Sequence, residues 1–335
     1  MERLKEKFHV SSSPHIHSGV TTSEIMRDVA IALMPASVMG VYQFGFQAFL
    51  VLLVSVTTCV ITEYLYEYFM KKPYHPYECS ALVTGLLIGM NLPASIPLWM
   101  PVVGGIFAIL VVKQLYGGLG QNIMNPALAA RCFLLICFTG QMTNFSILTP
   151  SEYEASNRGT YLFYHGAAAV DGITGATPLA AVKAGESVQL FDLFWGFTGG
   201  VIGETSVIMI LIGAVYMLYR KVINLRIPLA YLLSFVLFLM LFGGHGADPT
   251  YLAIQLCGGG LMLGAFFMAT DYTTSPITPN GQIVFGICLG ILTGIFRIFG
   301  KSAEGVSYAI IFCNLLVPVI EKVTMPTAFG RGRKG

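Results

Sequence analysis

Residues 48–70 read AFLVLLVSVTTCVITEYLYEYFM, and this stretch decides what kind of protein the chain is. Its first charged residue is Glu63, and it holds no glycine or proline. A helix needs about 20 mostly apolar residues to cross a bilayer, and this run supplies them. Further apolar runs follow the same reading at 28–46, 80–93, 100–116, 124–142, 204–220, 228–243, 252–269, 282–299 and 305–321. The short, Gly-ended stretch 190–202 is read with 204–220, as an approach segment or a broken helix. The expected fold is an all-α polytopic membrane protein with about ten transmembrane helices. Composition agrees. Of 335 residues, 55% are hydrophobic and 11% charged, and the mean hydropathy is +0.72. A soluble domain is about 25% charged, so a soluble enzyme, a nucleic-acid binder and a disordered scaffold are excluded. The 37 glycines suit close helix packing in lipid. Met1 to Asp28 is polar and mixed in charge, unlike a secretory signal, so insertion through the first helix is expected.

Few as they are, the cations are informative. Arg3, Lys5, Lys7 and Arg27 precede the first span, Lys71 and Lys72 follow the second, and Arg220, Lys221 and Arg226 follow the sixth. Lys322, Arg331, Arg333 and Lys334 lie in the tail. With ten crossings all of these fall on one side, so both termini are expected in the cytoplasm. The opposite side carries Arg158, Lys183 and Lys301, with Arg297 near a helix end. The expected organisation is a cytoplasmic segment 1–27, five helices over 28–142, an external loop 143–189, five helices over 190–321, and a basic cytoplasmic tail 322–335.

The two sets of five helices are related. Aligned without a gap, Pro97 meets Pro279, Val102 meets Val284, Gly104 meets Gly286, Ile109 meets Ile291, Leu110 meets Leu292 and Gly118 meets Gly300. Because the fourth and ninth spans run in opposite directions, the repeat is inverted, a plan that places binding sites near the midplane. The third span ends in Asn91-Leu92-Pro93 and its mate in Thr270-Asp271 and a Pro-rich turn, so interrupted helices face each other between the halves.

The external loop carries Val170-Asp171-Gly172-Ile173-Thr174-Gly175-Ala176-Thr177-Pro178-Leu179. Glycine and alanine leave the Thr177 hydroxyl with almost no neighbouring bulk, so it can enter another enzyme's active site as an acceptor. Asp171, six residues earlier, could dock a metal or position the loop. The pattern resembles the flavinylation motif of the sodium-pumping NADH:quinone reductase and the related Rnf complex. Ser11 to Ala36, Gln121 to Arg131, Glu204 to Pro228 and Phe266 to Pro276 resemble the D-type membrane protein of the Rnf complex (RnfD), and the similarity runs over nearly the whole chain.

The resemblance implies that a flavin transferase moves FMN from FAD onto Thr177 as a phosphoester, with Asp171, Thr174, Gly175 and Ala176 forming the rest of the motif. Thr174 is the second choice of acceptor; Pro178 follows Thr177 where some relatives have a hydroxyl residue. It further implies a noncovalent flavin, riboflavin, in some members. It implies a complex with a second FMN-bearing subunit and iron–sulfur subunits that moves electrons between ferredoxin and NAD while exporting Na+ or H+. The location implied is the prokaryotic plasma (inner) membrane. No nucleotide-binding fingerprint occurs, since Gly258-Gly259-Gly260 sits in an apolar run, so NAD and ferredoxin fall to partner subunits. The redox chemistry belongs to the cofactor, which the protein holds and tunes.

Other polar residues near the membrane are candidates by type. Asn125 with Pro126 begins a helix that faces a second flavin or caps locally. Arg131 reads as a partner of that flavin or an interfacial anchor, and Asp271 as a cofactor-binding or ion-coupling group. Glu204 lies at a span end. Glu63 and Glu67 are expected among solvent or lipid headgroups, with Glu78 nearby. The seven cysteines hold no CxxC and read as apolar packing residues. His15 and His17 are too few ligands for a metal, and His165 and His245 have no ligand cluster beside them. No catalytic residue and no metal ligand is assigned. Alternative readings are the homologous B-type membrane protein of the quinone reductase, a solute channel or transporter, and an assembly scaffold. The loop motif argues against the last two.

Overall fold

The computed structural model describes residues 21–71, 79–145, 177–183, 188, 190–244, 246–300 and 305–326. In chain order the helices are α1 (Thr22–Phe44), α2 (Phe46–Phe69), α3 (Ser80–Met90), α4 (Trp99–Ile106, continued by a π-helical turn, Phe107–Gln114), α5 (Pro126–Cys137) and α6 (Thr139–Met142). There follow α7 (Pro178–Lys183), α8 (Leu190–Trp195), α9 (Val207–Tyr219), α10 (Arg226–Phe242), α11 (Pro249–Cys257), α12 (Leu261–Leu263, continued as a π turn, Gly264–Met268), α13 (Pro279–Phe299) and α14 (Val306–Thr324). The described residues contain no strand. The protein is an all-α, multi-pass membrane protein.

Capping residues fix the starts. Thr21 accepts from Glu24 N at 3.3 Å, Asn125 accepts from Ala127 N and Leu128 N, and Thr278 accepts from Gly281 N at 3.1 Å. Proline opens α5, α11 and α13, where its missing N–H removes nothing the helix uses.

Four helices, α1, α2, α13 and α14, are long and apolar enough to cross a membrane, and the bent pair α11–α12 makes a fifth. That pair turns by 64° at Gly258–Gly260, so the expected span 252–269 is broken in the middle. The helices α3, α5 and α9 have 11, 12 and 13 residues. At 1.5 Å per residue they reach about 16–20 Å, against a hydrocarbon core of about 30 Å. The remaining depth is taken by irregular backbone. The segment after α3 meets the segment before α9, where Ile202 N donates to Leu92 O at 3.1 Å and Gly203 N to Met90 O at 2.8 Å. Lipid cannot satisfy such groups, so this junction must be enclosed by protein. It is: Asn91, Leu92, Ile202, Glu204, Thr205 and Ser206 are all buried. The expected span 124–142 also stops early, at Phe138, ahead of the weak helix formers Thr139 and Gly140. The stretch 190–202 is the separate short helix α8 with irregular backbone after it.

Close approaches hold the bundle together. The α10–α13 contact is the most extensive, and α1 crosses α9 where Gly213 lies against Ala32 O. Helices that hold the same place in the two expected halves also touch: α1 packs on α9, and α5 on α14.

Candidate functional site

Three sets of residues carry the chemistry. The first surrounds Thr177. It is buried at 8% exposure and stands immediately before α7. Its Oγ1 accepts from Ala180 N at 3.4 Å and its carbonyl from Ala181 N at 2.9 Å, so it caps its own helix. Leu179 is buried against the break in α11–α12. A Cβ on Gly258 would lie 3.2 Å from Leu179 Cδ2, and one on Gly259 would lie 2.7 Å from Leu179 Cδ1. Glycine at 259 also meets a backbone need, since its φ is +66°. Val182 packs against the buried cluster of Leu193, Val207, Ile254 and Cys257, and Lys183 Nζ donates to Gly300 O at 2.7 Å. The helix is thereby tied to the Gly300 end of α13. The other end of α13 meets the end of α14, where Ile277 N donates to Glu321 Oε1 at 2.9 Å. With 21 residues, α13 is about 31 Å long, a full membrane thickness.

Arg297 holds the break itself. It is buried, and its Nη1 donates to Gln255 O and Oε1 and its Nη2 to Gly258 O at 3.0 Å. Its guanidinium also lies 5.2 Å from the centre of the Phe235 ring. The carbonyls freed where the helix breaks thus find a charged donor. From its sequence position Arg297 reads only as a cation near a helix end; the structure makes it an internal clasp.

The second set sits at the junction of the short helices. Arg131 Nη1 donates to Asn91 Oδ1 at 3.0 Å, and Asn91 Nδ2 donates to Leu87 O at 2.6 Å. Glu204 Oε1 accepts from Val201 N at 3.2 Å. A Cβ on Gly260 would lie 2.9 Å from Glu204 Oε2 and 3.6 Å from Arg131 Nη1, so a carboxylate and a guanidinium converge on one glycine. Arg131 is buried here, which excludes an interfacial anchor. Asn125 Nδ2 donates to Met268 O at 3.4 Å, and Asn314, with its amide turned to suit both neighbours, accepts from Asn125 N. Of the two readings for Asn125, the local cap is the one its contacts fill.

The third set faces a cavity of about 80 Å³ bordered by Ser80, Lys113, Asn122, Asn125, Asp271 and Thr273. Lys113 Nζ pairs with Glu63 Oε1 at 2.5 Å and donates to Ser80 Oγ at 2.8 Å; Gln114 Nε2 also donates to Glu63 Oε1, at 2.9 Å. This overturns the headgroup position expected for Glu63, because a buried ammonium holds it inward. Sequence reading missed Lys113 as well. Its signal was a lysine closing an apolar run, and the π turn is what brings both Lys113 and Gln114 inward. Asp271 Oδ2 accepts from the Thr273 and Thr274 hydroxyls, each at 3.2 Å, and Asn122 Nδ2 donates to Thr273 Oγ1 at 3.0 Å. At the same end of the molecule, Asp28 pairs with Arg220 at 2.9 Å and accepts from Tyr216 OH. The carboxylate beside it pushes the Arg220 guanidinium pKa up.

Asp171, Thr174, Gly175 and Ala176 lie outside the described residues, as do His15, His17, Glu78, His165 and His245. No group of three or more metal-ligating side chains occurs among the described residues.

Residues 9–330 match the NQR2, RnfD, RnfE family. The chain belongs to that family. Among its relatives is the D-type component of the Na(+)-translocating ferredoxin:NAD(+) oxidoreductase complex of Acetobacterium woodii, 43% identical, with 96% of this chain aligned to 95% of the relative. Its counterpart in the proton-translocating ferredoxin:NAD(+) oxidoreductase complex of Clostridium ljungdahlii is 38% identical over 98% of both chains. The D-type component of the ion-translocating oxidoreductase complex of Stutzerimonas stutzeri is 37% identical over 94% of both.

Proposed function

We propose that the chain is the D-type component of an ion-translocating ferredoxin:NAD oxidoreductase complex and that Thr177 carries FMN as a phosphoester. It relays electrons and is not catalytic alone. Near-full-length similarity to three D-type components, at 37–43% identity, supports the first part and disfavours a B-type quinone-reductase protein or a channel. The observation that carries the second is the position of Thr177: a hydroxyl at the start of a short helix fastened to the Gly300 end of α13, about 31 Å from the Glu321 end. The basic C-terminal tail follows α14 at the Glu321 end. By the positive-inside rule that end is cytoplasmic, and the acceptor then faces the exterior. A covalent link prevents loss of the flavin there.

The residues present suit the attachment. Thr177 supplies an acceptor oxygen, and Pro178 offers no competing hydroxyl. When bound, FMN passes one or two electrons and so can couple a hydride donor to one-electron carriers. The protein's part is to fix the anchor: α7 rests on Gly258–Gly259, and Arg297 stiffens that surface from below. Riboflavin beside Asn125 would meet a side chain already bonded to Met268 O and to Ala127 N at the start of α5.

The partners in this reading are the other members of the complex, among them a second FMN-bearing subunit and iron–sulfur subunits, a flavin transferase, and the bilayer of a prokaryotic plasma membrane. The contacts of α1 with α9 and of α5 with α14 support two inverted five-helix halves, 28–142 and 190–321, joined by the external loop. Produced with its flavin transferase, the protein is expected to keep yellow fluorescence in a denaturing gel, with a mass increase of one FMN on the peptide containing Thr177. Thr177→Val should abolish both. Fluorescence that survives in this variant refutes the assignment.

A further inference from the structure

We propose that docking of α7 controls when Thr177 can be modified, and that the transferase acts on the protein only with this helix released. This rests on the reading of Thr177 as the flavin acceptor.

Attachment breaks the pyrophosphate P–O bond of FAD and forms a bond from phosphorus to Thr177 Oγ1. AMP leaves, and the hydroxyl proton passes to a base of the transferase. No electrons are exchanged. For the attack, Oγ1 must come within bonding distance of phosphorus, in line with the leaving AMP. In the docked helix Thr177 is 8% exposed and its Oγ1 is engaged by Ala180 N–H. A second enzyme's active site cannot enclose it there.

The attachment of α7 is well suited to reversible release. It is a single six-residue helix that buries Pro178, Leu179 and Ala181, with Leu179 at 2% exposure as the deepest wedge, and it is further held by the flank of Val182 and by one hydrogen bond from Lys183 to a backbone carbonyl. The surface that receives the wedge is bare glycine at 258 and 259, backed by Arg297, whose Nη2 would lie 3.2 Å from a Cβ on Gly259. Releasing α7 leaves Arg297 bound to the Gln255 and Gly258 carbonyls, so the break in α11–α12 keeps its shape.

The test uses purified, unmodified full-length protein with transferase and FAD. Wild type should take up flavin slowly, and Leu179→Ala faster by about ten- to a hundredfold, the range expected from removing most of one buried leucine side chain. Leu179→Met, which refills the wedge, should return to the slow rate. Amide hydrogen exchange of Ala180 and Ala181 supplies a readout independent of flavin: protected in wild type and Leu179→Met, and fast in Leu179→Ala. Equal uptake rates in wild type and Leu179→Ala, with those amides exposed only in the variant, overturn the gate and leave the acceptor reading intact. Fast exchange at both amides in wild type overturns it too. No flavin on Thr177 in any of the proteins, with transferase active on another substrate, refutes the acceptor reading and the gate with it.

Discussion

The α10–α13 contact permits a sharp test of the packing, through Gly290→Ala. A Cβ at 290 would lie 1.9 Å from Ser234 Oγ, 2.6 Å from Phe235 N and 2.7 Å from Tyr231 O. The serine can turn away, but it then gives up its bonds to Tyr231 O and Gly286 O. The backbone atoms cannot turn. The helices must part by about 0.8 Å to restore ordinary contact, enough to forfeit a quarter to a half of the dispersion energy across the seam. Overpacking of this kind costs about 1–3 kcal/mol. The upper part of that range applies because the obstacle is backbone, while the better helix propensity of alanine returns about 1 kcal/mol. The net expectation is a loss of about 1–2 kcal/mol. In detergent this is a drop of several degrees in melting midpoint, at about 2–4 °C per kcal/mol for chains of 150–250 residues. Gly140→Ala is the control, since a Cβ there meets nothing within 4 Å, and it should melt as wild type or slightly higher. A Gly290→Ala protein as stable as its control would refute the close helix crossing.

Lys113→Met should destabilise by about 3–5 kcal/mol in denaturant titrations, because it strands the Glu63 carboxylate in a largely enclosed site, and adding Glu63→Leu should recover much of the loss. Arg297→Lys should raise hydrogen exchange over residues 255–260, since one ammonium replaces a planar fork that reaches two carbonyls and a side-chain amide. Unchanged exchange there would show that the break needs no clasp.

Much of this was legible in the chain. Runs of apolar residues locate the helices because lipid demands them, and Asn91 and Asp271 mark the ends of interrupted helices because proline-rich turns follow both. What sequence reading could not resolve was depth and direction. An apolar run does not say whether it crosses the membrane or stops halfway, so α3, α5 and α9 look like their longer neighbours. Nor does a polar residue reveal which way it points. Glu63 reads as a solvent or headgroup contact and Arg297 only as a cation near a helix end, because their partners, Lys113 and the carbonyls of Gln255 and Gly258, are remote in sequence. Thr177 was the opposite case: the motif singled it out, while its burial could come only from three dimensions.

The π turn of α4 has a consequence for insertions and deletions. Each added residue in an α-helix rotates everything after it by about 100°. A π turn absorbs such an addition by widening, which here directs Lys113 and Gln114 together at Glu63. Removing one residue between Phe107 and Val112 would let the segment relax to an ordinary helix of about the same rise, with Lys113 still directed at Glu63, whereas a further residue that the turn did not absorb would swing Lys113 toward lipid. This segment can therefore lose a residue at the wide turn and keep its ion pair, while the buried charge at its end resists a gain.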